Sequence, residues 1–135
     1  MSIHLESKDL INTQQMEVAV NGPDGATHLV FCTGIANLSY CSHETFTFLV
    51  GPSLSRRQFV GVIASGALST IKVHSKVPTE ANPETEPEAR LVTINATYDE
   101  ESGQVKVSAQ VASSRAMTKL AISYNVSILA ELPIW

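Results

Sequence analysis

The sequence predicts a mainly β protein: an antiparallel β-sandwich or barrel of about seven or eight strands. Three observations lead there. In the C-terminal third, apolar residues alternate with small polar ones, the two-residue period of half-buried strands. Clusters of Gly, Pro, Asn and Asp separate the alternating runs, as turns do. The chain has 135 residues and is 44% hydrophobic, which suits a single domain, 1–135, with a sizeable core and argues against disorder.

From the N-terminus, Met16 to Val20 reads as a short strand with Met16, Val18 and Val20 on one face. Asn21-Gly22-Pro23-Asp24-Gly25 is a turn. Thr27 to Thr33 is rich in β-formers, and Gly34 marks a break or bulge after it. Thr45 to Val50 is the next strand, ended by Gly51-Pro52.

Residues 55–67 fit two readings. Ser55 with Gln58 three positions later has the spacing of a capping box, and Phe59, Val60, Ile63, Ala64 and Ala67 share one helical face. A short helix is the favoured expectation. Against it, Val60, Gly61, Val62 and Ile63 are poor helix formers, and Arg56 and Arg57 oppose the helix dipole, so a bulged strand is the alternative. Leu68 to Val77 then reads as a strand.

Residues 78–89 differ from the rest in composition. Three prolines block helix and ladder pairing, and four glutamates repel one another, so an exposed acidic loop or arm is expected. Residues 1–77 hold five basic and five acidic groups, and 78–135 hold four and eight, so the whole net charge of −4 lies in the second segment.

The C-terminal third is the most regular. Val92, Ile94, Ala96 and Tyr98 alternate with polar residues. Asp99-Glu100-Glu101-Ser102-Gly103 supplies a polar loop with a glycine where a left-handed residue is needed. Val105, Val107, Ala109 and Val111 then alternate, which makes a β-hairpin. Ala112 to Thr118 is expected to be a connection. A further strand from Lys119 carries Leu120, Ile122, Tyr124, Val126 and Ile128 on one side, completing an antiparallel meander.

The chemistry-bearing residues form no catalytic constellation. Cys41, His43 and Glu44 are the densest reactive cluster, but proximity in sequence does not supply the geometry of a nucleophile and its base. His28, His43 and His74 with Cys32 lack metal-motif spacing. Proline-spaced glutamates at 80, 84, 86 and 88 do not converge as calcium ligands do. No cofactor and no metal site is therefore expected. Arg56 and Arg57 are the only paired basic residues, too few for a phosphate-binding surface, so no nucleic-acid partner is expected through a basic patch. No run of about 18 apolar residues is present to span a membrane.

No secretory segment heads the sequence, which points to a reducing compartment, cytoplasmic or within an assembled particle, and to Cys32 and Cys41 as free thiols rather than a bridge. The segment from Ser55 to Ala64 resembles a twin-arginine export signal, but it lies more than fifty residues into the chain, where such signals do not act.

Charged residues make up 16% of the chain, against roughly a quarter in ordinary soluble domains. The polar face of the C-terminal strands would display Thr93, Asn95, Thr97, Gln104, Ser108, Gln110, Ser123, Asn125 and Ser127, with Lys106 and Lys119 as its only charges. A neutral face of this kind packs closely against another protein. The expected function is that of a non-catalytic structural subunit forming a homo-oligomer, of the kind found in virus or phage particles and tube-like assemblies. Its expected interface holds Thr93, Asn95, Thr97, Ser108, Gln110, Ser123, Asn125 and Ser127, with Glu84 and Glu86 of the arm. The alternative is a β-barrel that binds a small molecule, or an enzyme built on one, with a pocket lined by some of Phe31, Phe46, Phe48, Tyr98 and Tyr124.

Overall fold

The computed structural model describes residues 2–20, 27–38, 41–73 and 89–131. Seven strands follow one another: β1 (Ser2–His4), β2 (Leu10–Val20), β3 (Thr27–Leu38), β4 (Cys41–Val50), β5 (Phe59–Val73), β6 (Ala89–Tyr98) and β7 (Val105–Glu131). A 3-10 turn at Ser7–Asp9 links β1 to β2.

The 27-residue β7 organises the fold. Its first arm pairs with β4 and β6, and its second arm with β3 and β5. β1 adds to β4 in parallel, and β2 adds to β3 antiparallel. Counting the two arms of β7 separately, eight strand segments form two antiparallel-rich layers. The first layer is β1-β4-β7-β6 and the second is β2-β3-β7-β5. The result is sandwich-like and not a closed barrel.

β3 and β4 run along β7 in step: Leu38 lies opposite Leu120 and Cys41 opposite Met117, three residues on each strand. They therefore line the same side of the bent strand, and β5 and β6 line the other. The buried face of β7 changes phase at the bend. Val105, Val107, Ala109 and Val111 are buried before it, and Ile122, Tyr124, Val126, Ile128 and Ala130 after it. An odd shift of this kind requires a bulge, and the β4–β7 register slips between Cys41 and His43. A strand that switches layers through such an irregularity forms the corner of a folded sheet.

The core lies between the layers. Phe46, Phe48, Leu38, Leu120, Ile122 and Ile128 fill it, each almost wholly buried. Removing a side chain of this size from water contributes about 1.5–3 kcal/mol, so these residues dominate the stabilisation. Phe48 and Tyr124 meet across the layers with ring centroids 5.0 Å apart. At the other flank, Phe59 of β5 packs on Tyr98 of β6 at 5.2 Å, and the Arg56 guanidinium lies 5.5 Å over the Tyr98 ring.

Three expectations are corrected. Residues 55–67 do not form a helix. The capping contact exists, with the Ser55 backbone N–H donating to Gln58 Oε1 at 2.8 Å, but it closes a single turn. The Val60–Ile63 run then continues as β5, with a bulge between Phe59 and Gly61, which is the alternative reading. Residues 112–118 are not a connection but part of β7, so the third C-terminal strand does not turn back on the second. The meander becomes a hairpin, β6–β7, whose second strand runs on into the other layer. Gly34 does not break β3, which keeps an unbroken register with β7 from Thr27 to Leu38. The Asn21–Gly25 turn and the 78–88 part of the acidic arm lie outside the described residues. β5 ends and β6 begins in register with the corner of β7, Val73 pairing with Met117 and Ala89 with Ser113.

Candidate assembly surface

Strand pairing places the residues of the expected interface on two different faces. On β6 and the first arm of β7, Thr93 lies opposite Gln110 and Asn95 opposite Ser108. Their rows continue through Thr45 and Thr47 of β4 to Ser2 and His4 of β1. His4 Nδ1 and Thr47 Oγ1 are 3.2 Å apart on this face. Thr97 sits beside Lys106. The outer face of the first layer is thus polar and hydrogen-bonding, as a water-facing sheet is.

Ser123, Asn125 and Ser127 are on the second arm of β7 and face out from the other layer. Glu84 and Glu86 lie outside the described residues, as do the side chains of Cys41 and His43. Cys32 of β3 is a free thiol on the buried side of the strand. Among the described residues, no three His, Cys, Asp or Glu side chains converge as a metal site. Among the same residues, no helix is long and apolar enough to cross a membrane.

The rows that pass through Ser123, Asn125 and Ser127 reveal a surface the sequence reading missed. Phe31, Ser127 and Ile63 are neighbours in one row, and Met16 of β2 extends it. Leu29, Leu129 and Gly61 form the next, extended by Val18. On the other side, Thr33, Asn125 and Ser65 lie beside Gln14, and Ile35, Ser123 and Ala67 lie beside Ile11. These positions alternate with the buried Val30, Cys32 and Ala36 of β3, so they face outward. None of them carries a charge.

The surface is also apolar. Ile63 is 76% exposed and Met16 62%, with Val60, Val18 and Ile11 exposed beside them. An open hollow of about 570 Å³ lies along it, lined by Gln14, Gln15, Met16, Phe31 and Thr33. The signal in the sequence is β3 itself, where apolar side chains occupy both faces of the strand: Val30, Cys32, Ala36 and Leu38 inward, and Leu29, Phe31 and Ile35 outward. Two apolar faces mark a strand covered on both sides.

Two smaller hollows open at the end of the sandwich. One of about 210 Å³ reaches Cys32 and Tyr124 between Leu10, Gln15, Gly51 and Gln104. Burial pushes the Cys32 thiol up from its ordinary pKa. Burial also raises Tyr124, with the neighbouring Cys32 adding to it. The adjoining hollow, about 350 Å³, is lined by His4, Leu5, Glu6, Ser7, Leu10, Leu49 and Gln104. Gln104 is held in place, its Nε2 donating to the Gly51 carbonyl at 2.7 Å.

No protein-family model, characterised protein or solved structure matches this chain. Its function is read from the surface alone.

Proposed function

We propose that the chain is a non-catalytic structural subunit that associates with copies of itself, as components of virus or phage particles and tube-like assemblies do. One observation carries this reading: on the outer face of β2-β3-β7-β5, the four rows from Ile11 to Val18 hold no charged residue and expose Ile11, Met16, Val18 and Ile63, with Glu131 at the margin. Soluble monomers keep their exposed apolar patches small, and a larger one marks a contact surface. The centres of protein interfaces are depleted in charge in the same way. A second copy fits this surface, because a neutral patch meets its own copy without like-charge repulsion.

The ligand-binding alternative has less support. The space between the layers is filled by Phe46, Phe48, Tyr124 and Ile128 rather than left as a pocket.

Light scattering behind a sizing column, at low and high protein concentration, tests the proposal. A defined oligomer is the expected result. A 14.5 kDa monomer at every concentration overturns it.

A further inference from the structure

We propose that the first contact between copies is β2 against β2, edge to edge and antiparallel, so that two second layers become one continuous eight-stranded sheet. This rests on the self-association proposed above and names its geometry.

β2 is the open edge of the second layer, with β3 as its one partner among the described residues. Every residue from Ile11 to Ala19 is exposed, on both faces of the strand. Proteins guard edges of this kind with lysine, proline, bulges or short strands. β2 is eleven residues long and has neither lysine nor proline. Its single charge, Glu17, lies beside His28 of β3, with Oε1 and Nδ1 2.8 Å apart.

The other edges are guarded. β1 has three residues. β5 carries three register breaks, at Phe59/Gly61, Leu68/Thr70 and Lys72/Val73, and follows Arg56 and Arg57. β6 has a break between Leu91 and Thr93 and a charge at Arg90. β2 has a break between Ile11 and Gln14, where Asn12 takes a positive φ of 52°, and then runs unbroken from Gln14 to Val20. At about 3.3 Å per residue, that clean run is long enough for a full antiparallel ladder.

The occupant is a second copy because a strand edge is complementary to itself under a two-fold axis. Antiparallel pairing returns each free N–H to a free C=O of the same sequence. With the axis at the centre of the 14–20 run, Met16 of each copy meets Val18 of the other on the outer face, beside the hollow lined by Met16 and Phe31. Position 15 faces position 19, and the two Glu17 stand opposite each other, each beside its own His28. The joined sheet sets the two outer faces side by side as one continuous surface.

Hydrogen exchange of the wild-type protein, read by mass spectrometry at low and high concentration, tests this directly. Amides of 14–20 are expected to gain protection where the oligomer forms. In a Gln15→Lys, Ala19→Lys double variant, charges stand on β2 but off the outer face, and like charges across a strand pair oppose it. The expected loss of association is about tenfold or more. Circular dichroism establishes that the variant is folded, and the wild-type exchange result stands without it. An oligomer whose 14–20 amides exchange alike at both concentrations overturns the β2 contact and leaves self-association standing. A monomer at all concentrations overturns both.

Discussion

Tyr124 lies directly across Gly34. The two residues are register partners on β7 and β3, and a Cβ built on Gly34 would come 2.5 Å from the phenol oxygen and 2.8 Å from Cζ. Gly66 flanks Tyr124 on the other side, opposite it on β5. A large aromatic residue thus occupies a row whose two neighbours have no side chain, and its ring can reach Phe48 in the facing layer.

The first prediction follows. Gly34→Ala forces the Tyr124 ring off Phe48 or bends β3, at a cost of about 1–3 kcal/mol. Urea denaturation measures it. In a Tyr124→Ala background the same substitution is expected to cost much less, because the atom it strikes is gone. Equal costs in both backgrounds would mean that the glycine serves some other purpose.

Gly103 carries the β6–β7 hairpin. Its φ is +75°, and a Cβ there would lie 2.8 Å from Ser53 Oγ and 2.9 Å from the Leu54 carbonyl oxygen. The Gly103 carbonyl also accepts the Leu54 N–H at 2.7 Å, tying the hairpin to the segment before β5. Gly103→Ala is expected to lower stability by at least about 1–2 kcal/mol, the cost of a left-handed L-residue. Thermal melting reads this, and an unchanged midpoint would refute it.

The same loop has a pH signature. Asp99 Oδ2 accepts from Ser102 Oγ at 2.6 Å and from the Ser102 N–H at 3.2 Å. The Ser102 hydroxyl is the main reason its carboxyl titrates below the ordinary value, with a smaller pull from Lys106. A carboxyl held low in the folded state adds stability above its unfolded pKa. That share fades as pH falls through the unfolded value and is gone below the folded one. Ser102→Ala should therefore lower stability at neutral pH and narrow the gap to wild type in acid. A gap that stays constant from neutral to acid pH would exclude the Asp99–Ser102 contact as its source.

Much of this architecture is legible in the residues. The β6–β7 hairpin follows from its alternation and from Gly103 in a polar loop. The strands around Thr27–Thr33 and Thr45–Val50 follow from β-formers bounded by turn residues. Three features are not legible, for physical reasons. Ser55 and Gln58 make a real capping contact, but a local cap cannot show that Val60–Ile63 will find a sheet to join. Ala112–Thr118 has no alternation, because a strand rounding a corner changes which side faces the core. The apolar face needs the order of strands: only pairing places Met16, Phe31 and Ile63 in one row. Ser123, Asn125 and Ser127 belong to that face, whereas Thr93, Asn95, Thr97, Ser108 and Gln110 belong to the opposite one.

The Cys32 thiol offers a probe of the core. It is 4% exposed, on the inner face of β3, and burial raises its pKa. The thiolate is the reactive form, so burial and a raised pKa both slow alkylation. In a Cys41→Ser chain, where one thiol reports, Cys32 is expected to react with a maleimide far more slowly in the native state than in urea. The stability it lends is complete below the ordinary thiol pKa and declines as pH rises through the raised one. Native labelling at the unfolded rate would show that the second layer opens freely.

The two outer faces can be set against each other by one charge apiece. Ile63 on the second layer packs against little, so Ile63→Lys should leave the melting temperature nearly unchanged. The same is expected of Asn95→Lys on the first layer, also exposed. Their effects on association should differ. A lysine at 63, beside Ser127 on β5, must be desolvated where a second copy covers the outer face of the second layer, whereas a lysine at 95 stays in water. Sedimentation velocity on the two variants decides the matter. Loss of the oligomer in Ile63→Lys alone assigns the contact to the second layer. Loss in Asn95→Lys alone transfers it to the polar rows of Thr93, Asn95 and Thr97.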